Sequence, residues 1–220
     1  MNRAFAQFVS AIGHPMLILL YVLLLMLATN PFLFGVRSMD ETRAVVLIVS
    51  VFASTILIPG AGVALMKPLG LVKSLELADK QERIGPYIIT GVFYLWLFKN
   101  LITLGQTPVL FSKFVLGATI GLFLSFFINI FTKISAHTVG MGGLLAMILL
   151  LLSNWQNPMA GIPAFGGTVL VSMYYILILS ILLAGAVGSA RLALRAHEPG
   201  QVYLGYVTGF GAVVVGYAVL

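Results

Sequence analysis

Apolar runs about as long as a hydrocarbon core is thick recur from one end of this chain to the other, and no polar stretch between them is long enough for a soluble domain. A helix crosses a bilayer with about 20 such residues. Lipid leaves unpaired backbone groups costly, so only helices and closed barrels span it; long runs without strict alternation select helices. Only 8% of residues are charged, against roughly 25% in soluble domains. Spans are predicted near residues 15–36, 43–66, 86–104, 108–132, 137–155, 166–188 and 202–220. The expected fold is all-α: a polytopic transmembrane helical bundle of six to seven spans, one membrane domain over 1–220. The first run lacks a small-residue cleavage site and is read as a retained span. The expected location is a bacterial inner (cytoplasmic) membrane.

Composition narrows the chemistry. There is no cysteine, which removes thiolate catalysis, disulfides and Cys-ligated metals. The net charge of +6 comes from basic residues scattered singly at span ends, not clustered among aromatics, so no nucleic-acid partner is predicted. Membrane lipids with anionic head groups, or phosphate substrates, suit that charge better. The six carboxylates, Asp40, Glu41, Glu76, Asp79, Glu82 and Glu198, fall in loops or at span edges. A proton-coupled pump usually buries an acidic residue within a span, and a magnesium-dependent lipid transferase clusters aspartates around its metal. Both classes lose support, and neither metal nor cofactor is predicted.

Three polar stretches interrupt the apolar sequence: DKQERIGP (79–86), KISAH (133–137) and ARLALRAHEPGQV (190–202). They hold five of the twelve Lys and Arg residues and two of the three histidines. With seven spans they follow the second, fourth and sixth, so all three emerge on one side and can converge. Orientation stays open, because setting aside Lys80, Arg83, Lys133 and Arg191 leaves four basic residues on each side.

Their residue types suit phosphoryl chemistry without a metal. A neutral imidazole can attack phosphorus, and a second histidine can protonate the leaving oxygen. Arg grips phosphate oxygens bidentately, and Lys adds a movable point charge. If helical, Lys80 and Arg83 share a face, as do Lys133 and His137. Pro86 fits the first turn of the third span. Pro199 and Gly200 are predicted to break the chain after His197, leaving that histidine at an exposed turn. The segment LVKSLELADKQER has apolar residues at helical spacing and could form a short interfacial helix.

The order and spacing of Lys80, Arg83 and Pro86, then Ser135, Ala136 and His137, then Ala190, Arg191, His197 and Gln201 resemble the three motifs of the type 2 phosphatidic acid phosphatase superfamily. The likeness covers a phosphatase-like core of about residues 80–210. It implies an enzyme that hydrolyses lipid phosphates or isoprenyl diphosphates through a phosphohistidine. By that resemblance His197 is the nucleophile, His137 the acid on the leaving group, and Lys80, Arg83 and Arg191 the phosphate clamp, with Ser135 adding a hydroxyl. Gln201 stands where the family has an Asp that orients the nucleophile. Ile134, Ala136 and Ala190 also depart from the motifs, and Lys80 and Arg83 lie closer together than the family spacing. A binding protein for lipid phosphate, or a small transporter, remains the alternative.

Other features have plainer explanations. Lys67, Lys73, Lys99, Lys113 and Arg195 are read as snorkelling anchors. His14 is read as a structural histidine, and the glycines of HTVGMGGLLA and YLGYVTGFGAVVVGY as close helix packing.

Overall fold

The computed structural model describes residues 1–74, 77, 79–105, 107–155, 159–164 and 167–220. Among them, seven helical segments are long and apolar enough to cross a membrane: Arg3–Thr29, Thr42–Met66, Gln81–Leu104, Val109–Phe131, Ala136–Asn154, Met173–Ala193 and Pro199–Val219. The chain is an all-α integral membrane bundle. A helix of 21 residues, such as Ile84–Leu104, is about 31 Å long at 1.5 Å per residue, which matches the core of a bilayer.

The first span begins twelve residues earlier than hydropathy places it. Its opening helix, α1 (Arg3–Ile12), is amphipathic: Phe5 and Phe8 face outward while Ala6 and Val9 are buried. That mixed surface breaks the apolar run on which the span prediction rests. The chain stops being helical at Gly13 and His14, makes a 3-10 turn at Pro15–Leu17, and resumes as α2 (Ile18–Thr29). The second span joins α3 (Thr42–Phe52) to α4 (Ile58–Met66) through a π-helical turn at Ala53–Leu57. That wider turn directly precedes Pro59, which has no N–H to give to a regular ladder.

The predicted interfacial helix is not formed by the described residues after Met66. A 3-10 turn, Gln81–Arg83, precedes α5 (Ile84–Leu104). Val72 is buried, the Lys73 amide donates to Glu82 Oε1 at 3.0 Å, and Lys73 pairs with Asp79 at 3.7 Å on the surface. These contacts hold the segment as a folded loop. Glu76 and Pro158 lie outside the described residues.

The third span ends on Gly105 at φ +58, a left-handed cap that glycine adopts without strain. Then follow α6 (Val109–Phe131) and α7 (Ala136–Asn154). The stretch after α7 is not a plain loop: β1 (Met159–Ala164) pairs antiparallel with β2 (Gly167–Ser172), with Met159 opposite Ser172, and β1 packs on α2. The hairpin takes the residues assigned to the start of the sixth span, so α8 (Met173–Ala193) begins at Met173, capped by Ser172 Oγ accepting the Tyr174 amide at 3.3 Å. The last helix, α9, is Pro199–Val219, and Pro199 opens it at the first helical position.

Helix α9 packs most extensively on α7 and α6, and glycines set how close it comes. A Cβ at Gly209 would overlap the Val139 carbonyl, one at Gly142 the Tyr206 carbonyl, and one at Gly205 Thr138 Oγ1. Lower in the bundle, a Cβ at Gly216 would lie 2.5 Å from Gly117 Cα. Small residues that let backbones approach are the usual adhesive of helices in lipid, where burying apolar surface gains little. The packing role read for these glycines in the sequence is what they have here. Gly211, two residues on from Gly209, meets nothing within 4 Å. Gly209→Ala should therefore destabilise by about 1–3 kcal/mol, the usual cost of overpacking, whereas Gly211→Ala should be neutral or slightly stabilising. Thermal unfolding of the two variants in detergent checks this; equal melting temperatures would refute the packing argument.

Candidate functional site

The three polar stretches meet at one end of the bundle, as the parity of the spans predicts. Arg83, the residue just before α5, donates from Nη1 to the Ile134 carbonyl at 2.9 Å, which ties the first stretch to the second. The Ser135 amide donates to the Gln201 carbonyl at 3.4 Å, which ties the second to the third. Arg83 Nε also donates to the Leu77 carbonyl at 2.9 Å, so the plane of its buried guanidinium is fixed.

Arg83, Arg191, His137 and His197 line one cavity of about 380 Å³, together with His14. This is within the size range of small-ligand sites, roughly 300–1,000 Å³. No Asp or Glu lines it among the described residues, nor do any three His, Asp or Glu side chains among them converge as metal ligands. The cavity runs down α5 past Tyr87 and Thr90 to Tyr94, and along α6 from Ser125 to Phe114. From Arg83 to Tyr94 is eleven residues, or about 16 Å of helix, roughly half the hydrocarbon thickness. Below the polar end its walls are chiefly apolar, with Ile18, Leu19, Val63, Leu122 and Val213 among them.

Two irregular stretches of backbone border this cavity: the break at Gly13–Pro15 in the first span, and α4 just after the π-helical turn, which contributes Gly60 and Val63. In a membrane, irregular backbone is tolerated where it lines a cavity or is buried in protein, so such breaks point toward sites.

His197 lies in the short connection between α8 and α9, yet it is only 8% exposed. The exposed turn inferred from Pro199 and Gly200 is therefore corrected: Pro199 starts a helix, and the connection folds inward over the cavity. His197 Nδ1 lies 3.0 Å from Gln201 Oε1. The same oxygen accepts the Glu198 amide at 3.4 Å, within a reciprocal capping box at the start of α9. An amide N–H can only donate, so the Gln201 atom facing it is oxygen, and His197 Nδ1 must carry the proton. The lone pair then sits on Nε2. Burial is the main cause of a His197 pKa pushed down to about 4; Arg83, Arg191 and Lys133 push it the same way, while the Gln201 hydrogen bond opposes them.

The other predicted site residues divide. Arg191, near the end of α8, reaches Ser10 Oγ of α1 at 3.4 Å through Nη1. Ser135 is the N-cap of α7 and fully buried, but its hydroxyl caps nothing and has no hydrogen-bond partner among the described residues. Lys133 precedes α7 and so shares no helical face with His137; burial first, then Arg83 and Arg191, push its pKa down. Lys80 is not brought to the cavity. It is exposed and donates from Nζ to the Ile130 and Phe131 carbonyls at 3.0 and 3.4 Å, meeting the free C-terminus of α6. The chain from Lys80 to Arg83 is a 3-10 turn and not an α-helix, and the two side chains part: Lys80 goes to the end of α6 and Arg83 to the cavity. Arg195 is exposed at φ +52 beyond the end of α8.

Two residues that the sequence did not assign to the site line the cavity. Tyr87 stands one turn below Arg83 with a buried hydroxyl that has no partner among the described residues; its position four residues after Arg83 is the signal that could have found it. His14 packs edge to face on His137, with ring centroids 5.3 Å apart. Nothing local marks it, because more than sixty residues separate it from the nearest motif.

Comparison of the chain with protein-family models, curated proteins and solved structures finds no match. The site is therefore judged on its own geometry.

With the His197 pKa near 4, this imidazole should be neutral at pH 6, where an ordinary histidine, with a pKa of about 6.5, is largely protonated. Nitrogen-15 NMR of the imidazoles in detergent should show His197 as the Nδ1–H tautomer from pH 8 to pH 5. In Gln201→Asp the added carboxylate should raise the pKa, so protonation should begin at higher pH. Titration of His197 near 6.5 in the parent protein would contradict this account.

Proposed function

We propose that this protein is a membrane phosphatase that hydrolyses lipid phosphates or isoprenyl diphosphates through a phosphohistidine on His197, with no metal. The observation that carries the proposal is the two-ended cavity. One end holds two arginines and three histidines, with no carboxylate among the described residues; the other is an apolar slot about 16 Å deep along α5. A phosphate with a hydrocarbon tail suits both ends at once.

In this mechanism the His197 Nε2 lone pair attacks phosphorus as the bond from phosphorus to the leaving oxygen breaks. His137 gives that oxygen its proton, then takes one back from the water that hydrolyses the phosphohistidine. Arg83 and Arg191, with Lys133 close by, stabilise the charge on the transferring phosphoryl group. The unpartnered hydroxyls of Ser135 and Tyr87 fit the same proposal, since a buried hydroxyl left unpaired costs about 1–3 kcal/mol.

Gln201 fixes the His197 tautomer but adds no negative charge to stabilise the imidazolium that forms on attack. In the serine-protease triad, the corresponding change from Asp to its amide lowers turnover by about four orders of magnitude, though there the amide imposes the wrong tautomer, which Gln201 does not. The shortfall here should be smaller.

The test is phosphate release by purified protein in detergent from phosphatidate, phosphatidylglycerophosphate and undecaprenyl diphosphate. Release from at least one is expected, with its loss in His197→Ala and a gain in Gln201→Asp. Release that survives His197→Ala would sink the phosphohistidine. Binding of a lipid phosphate without turnover in either the parent or Gln201→Asp would make the protein a binding module.

A further inference from the structure

His14 lies far from the polar stretches in sequence, and its place in the first span is unusual. A continuous helix would have satisfied the backbone there, yet the chain breaks at Gly13 and His14 inside a membrane-spanning segment. Two close approaches hold the break in place. A Cβ at Gly13 would clash with Val187 of α8, and one at Gly140 of α7 would lie 3.2 Å from Pro15 Cα. His14 is thereby wedged between α7 and α8, the helices that carry His137 and Arg191.

One ring nitrogen has a structural duty. His14 Nδ1 accepts the Met16 amide at 3.4 Å, capping the 3-10 turn that restarts the span. A nitrogen that accepts a backbone N–H holds a lone pair, so in neutral His14 the proton is on Nε2. That N–H makes no hydrogen bond among the described residues, while the ring lines the cavity and packs on His137. Capping alone does not require a ring: Asn, Asp or Ser at this position would accept the Met16 amide as well or better. The Nε2 edge has no role in the fold.

We propose that His14 is a phosphate-binding residue of this cavity, donating its Nε2–H to a phosphate oxygen. The inference rests on the cavity being a phosphate site and adds a residue from the first span to it. The capping contacts of His14 and His197 fix opposite patterns on their free nitrogens: Gln201 leaves a lone pair on His197 Nε2, and Met16 leaves a proton on His14 Nε2. One histidine is set to attack and the other to donate, without either becoming charged. A site assembled from the first, third, fifth, sixth and seventh spans then also couples the start of the chain to the binding of its ligand.

Two variants separate the donor from the cap. Asn at position 14 keeps the cap but does not reach the Nε2 position, whereas Gln places an N–H close to it. Binding of inorganic phosphate to the protein in detergent, followed by calorimetry, is the readout, with melting temperatures taken alongside. His14→Asn should weaken binding by about tenfold or more, the range for a hydrogen bond to a charged acceptor. His14→Gln should stay within about threefold of the parent. Parent-like affinity in His14→Asn overturns the inference, as does equal loss in both variants, which would assign the effect to the ring and not to the donor. Should His14→Asn fail to fold, His14→Gln decides alone, a tenfold loss counting against the donor. Phosphate binding by the parent that is lost in Arg191→Met, but unchanged in His14→Asn, leaves the phosphate site standing and removes only His14. No binding by the parent removes both.

Discussion

A guanidinium at the edge of a hydrocarbon core is costly unless its donors are met, and the way Arg83 is met organises one end of the molecule. Its Nε holds the Leu77 carbonyl and its Nη1 the Ile134 carbonyl, so the loop after α4 is tied to the connection between α6 and α7. That connection is in turn tied to α9 through the Ser135 amide and the Gln201 carbonyl. The polar ends of five spans are thus joined by hydrogen bonds that no solvent needs to complete. Arg83 is at once an anchor and a cavity wall. A residue already fixed by two carbonyls loses little freedom when an anion arrives, and this preorganisation makes its remaining charge effective.

The second constraint is the distance between α7 and α9. Glycines at 142, 205 and 209 bring these backbones together; His137 stands in the first turn of α7, and His197 lies two residues before the start of α9. The same residues that pack the bundle therefore fix the separation of the two histidines. Elsewhere the cavity needs room that close packing would remove. Gly60 of α4 meets nothing within 4 Å, lies just past the π-helical turn and lines the cavity.

The bundle and the meeting of its polar stretches were legible in the sequence because both depend on sums. Hydropathy averages over about twenty residues, and parity needs only the number of spans, so neither is upset by boundaries several residues out. Local geometry was less legible. Phe5 and Phe8 face lipid while Ala6 and Val9 face α8, and a window average does not separate the two faces. The pairing of Met159–Ala164 with Gly167–Ser172 is hidden in the sequence because Pro163 and the nearby glycines signal a loop as strongly as a strand. Lys80 and Arg83 looked equivalent, yet one turn of chain sends the first to the C-terminal carbonyls of α6 and the second to the cavity. His14 and Tyr87 were missed for different reasons: the first is distant in sequence, and the second is an aromatic in a span, where lipid contact is the commoner role. Pro199 reads as a stop in the sequence and is a start in the fold, so the sequence puts His197 at a turn but does not show that the turn is buried.

The electrostatics of the site give Gln201 a logic of its own. Arg83 and Arg191 line the cavity with no carboxylate among the described residues to balance them, and Lys133 stands close enough to depress the basicity of His197 further. An aspartate at position 201 would stabilise the imidazolium, but it would also compete with a phosphate for the same cations and raise the fraction of His197 protonated before any ligand bound. The amide avoids both effects. Its oxygen fixes the tautomer through geometry, held by the Glu198 amide, and leaves the full positive potential of the pocket for an incoming anion. Under the proposed reaction this arrangement would favour capture of the anion over the speed of the chemical step, which is where a neutral partner is weakest.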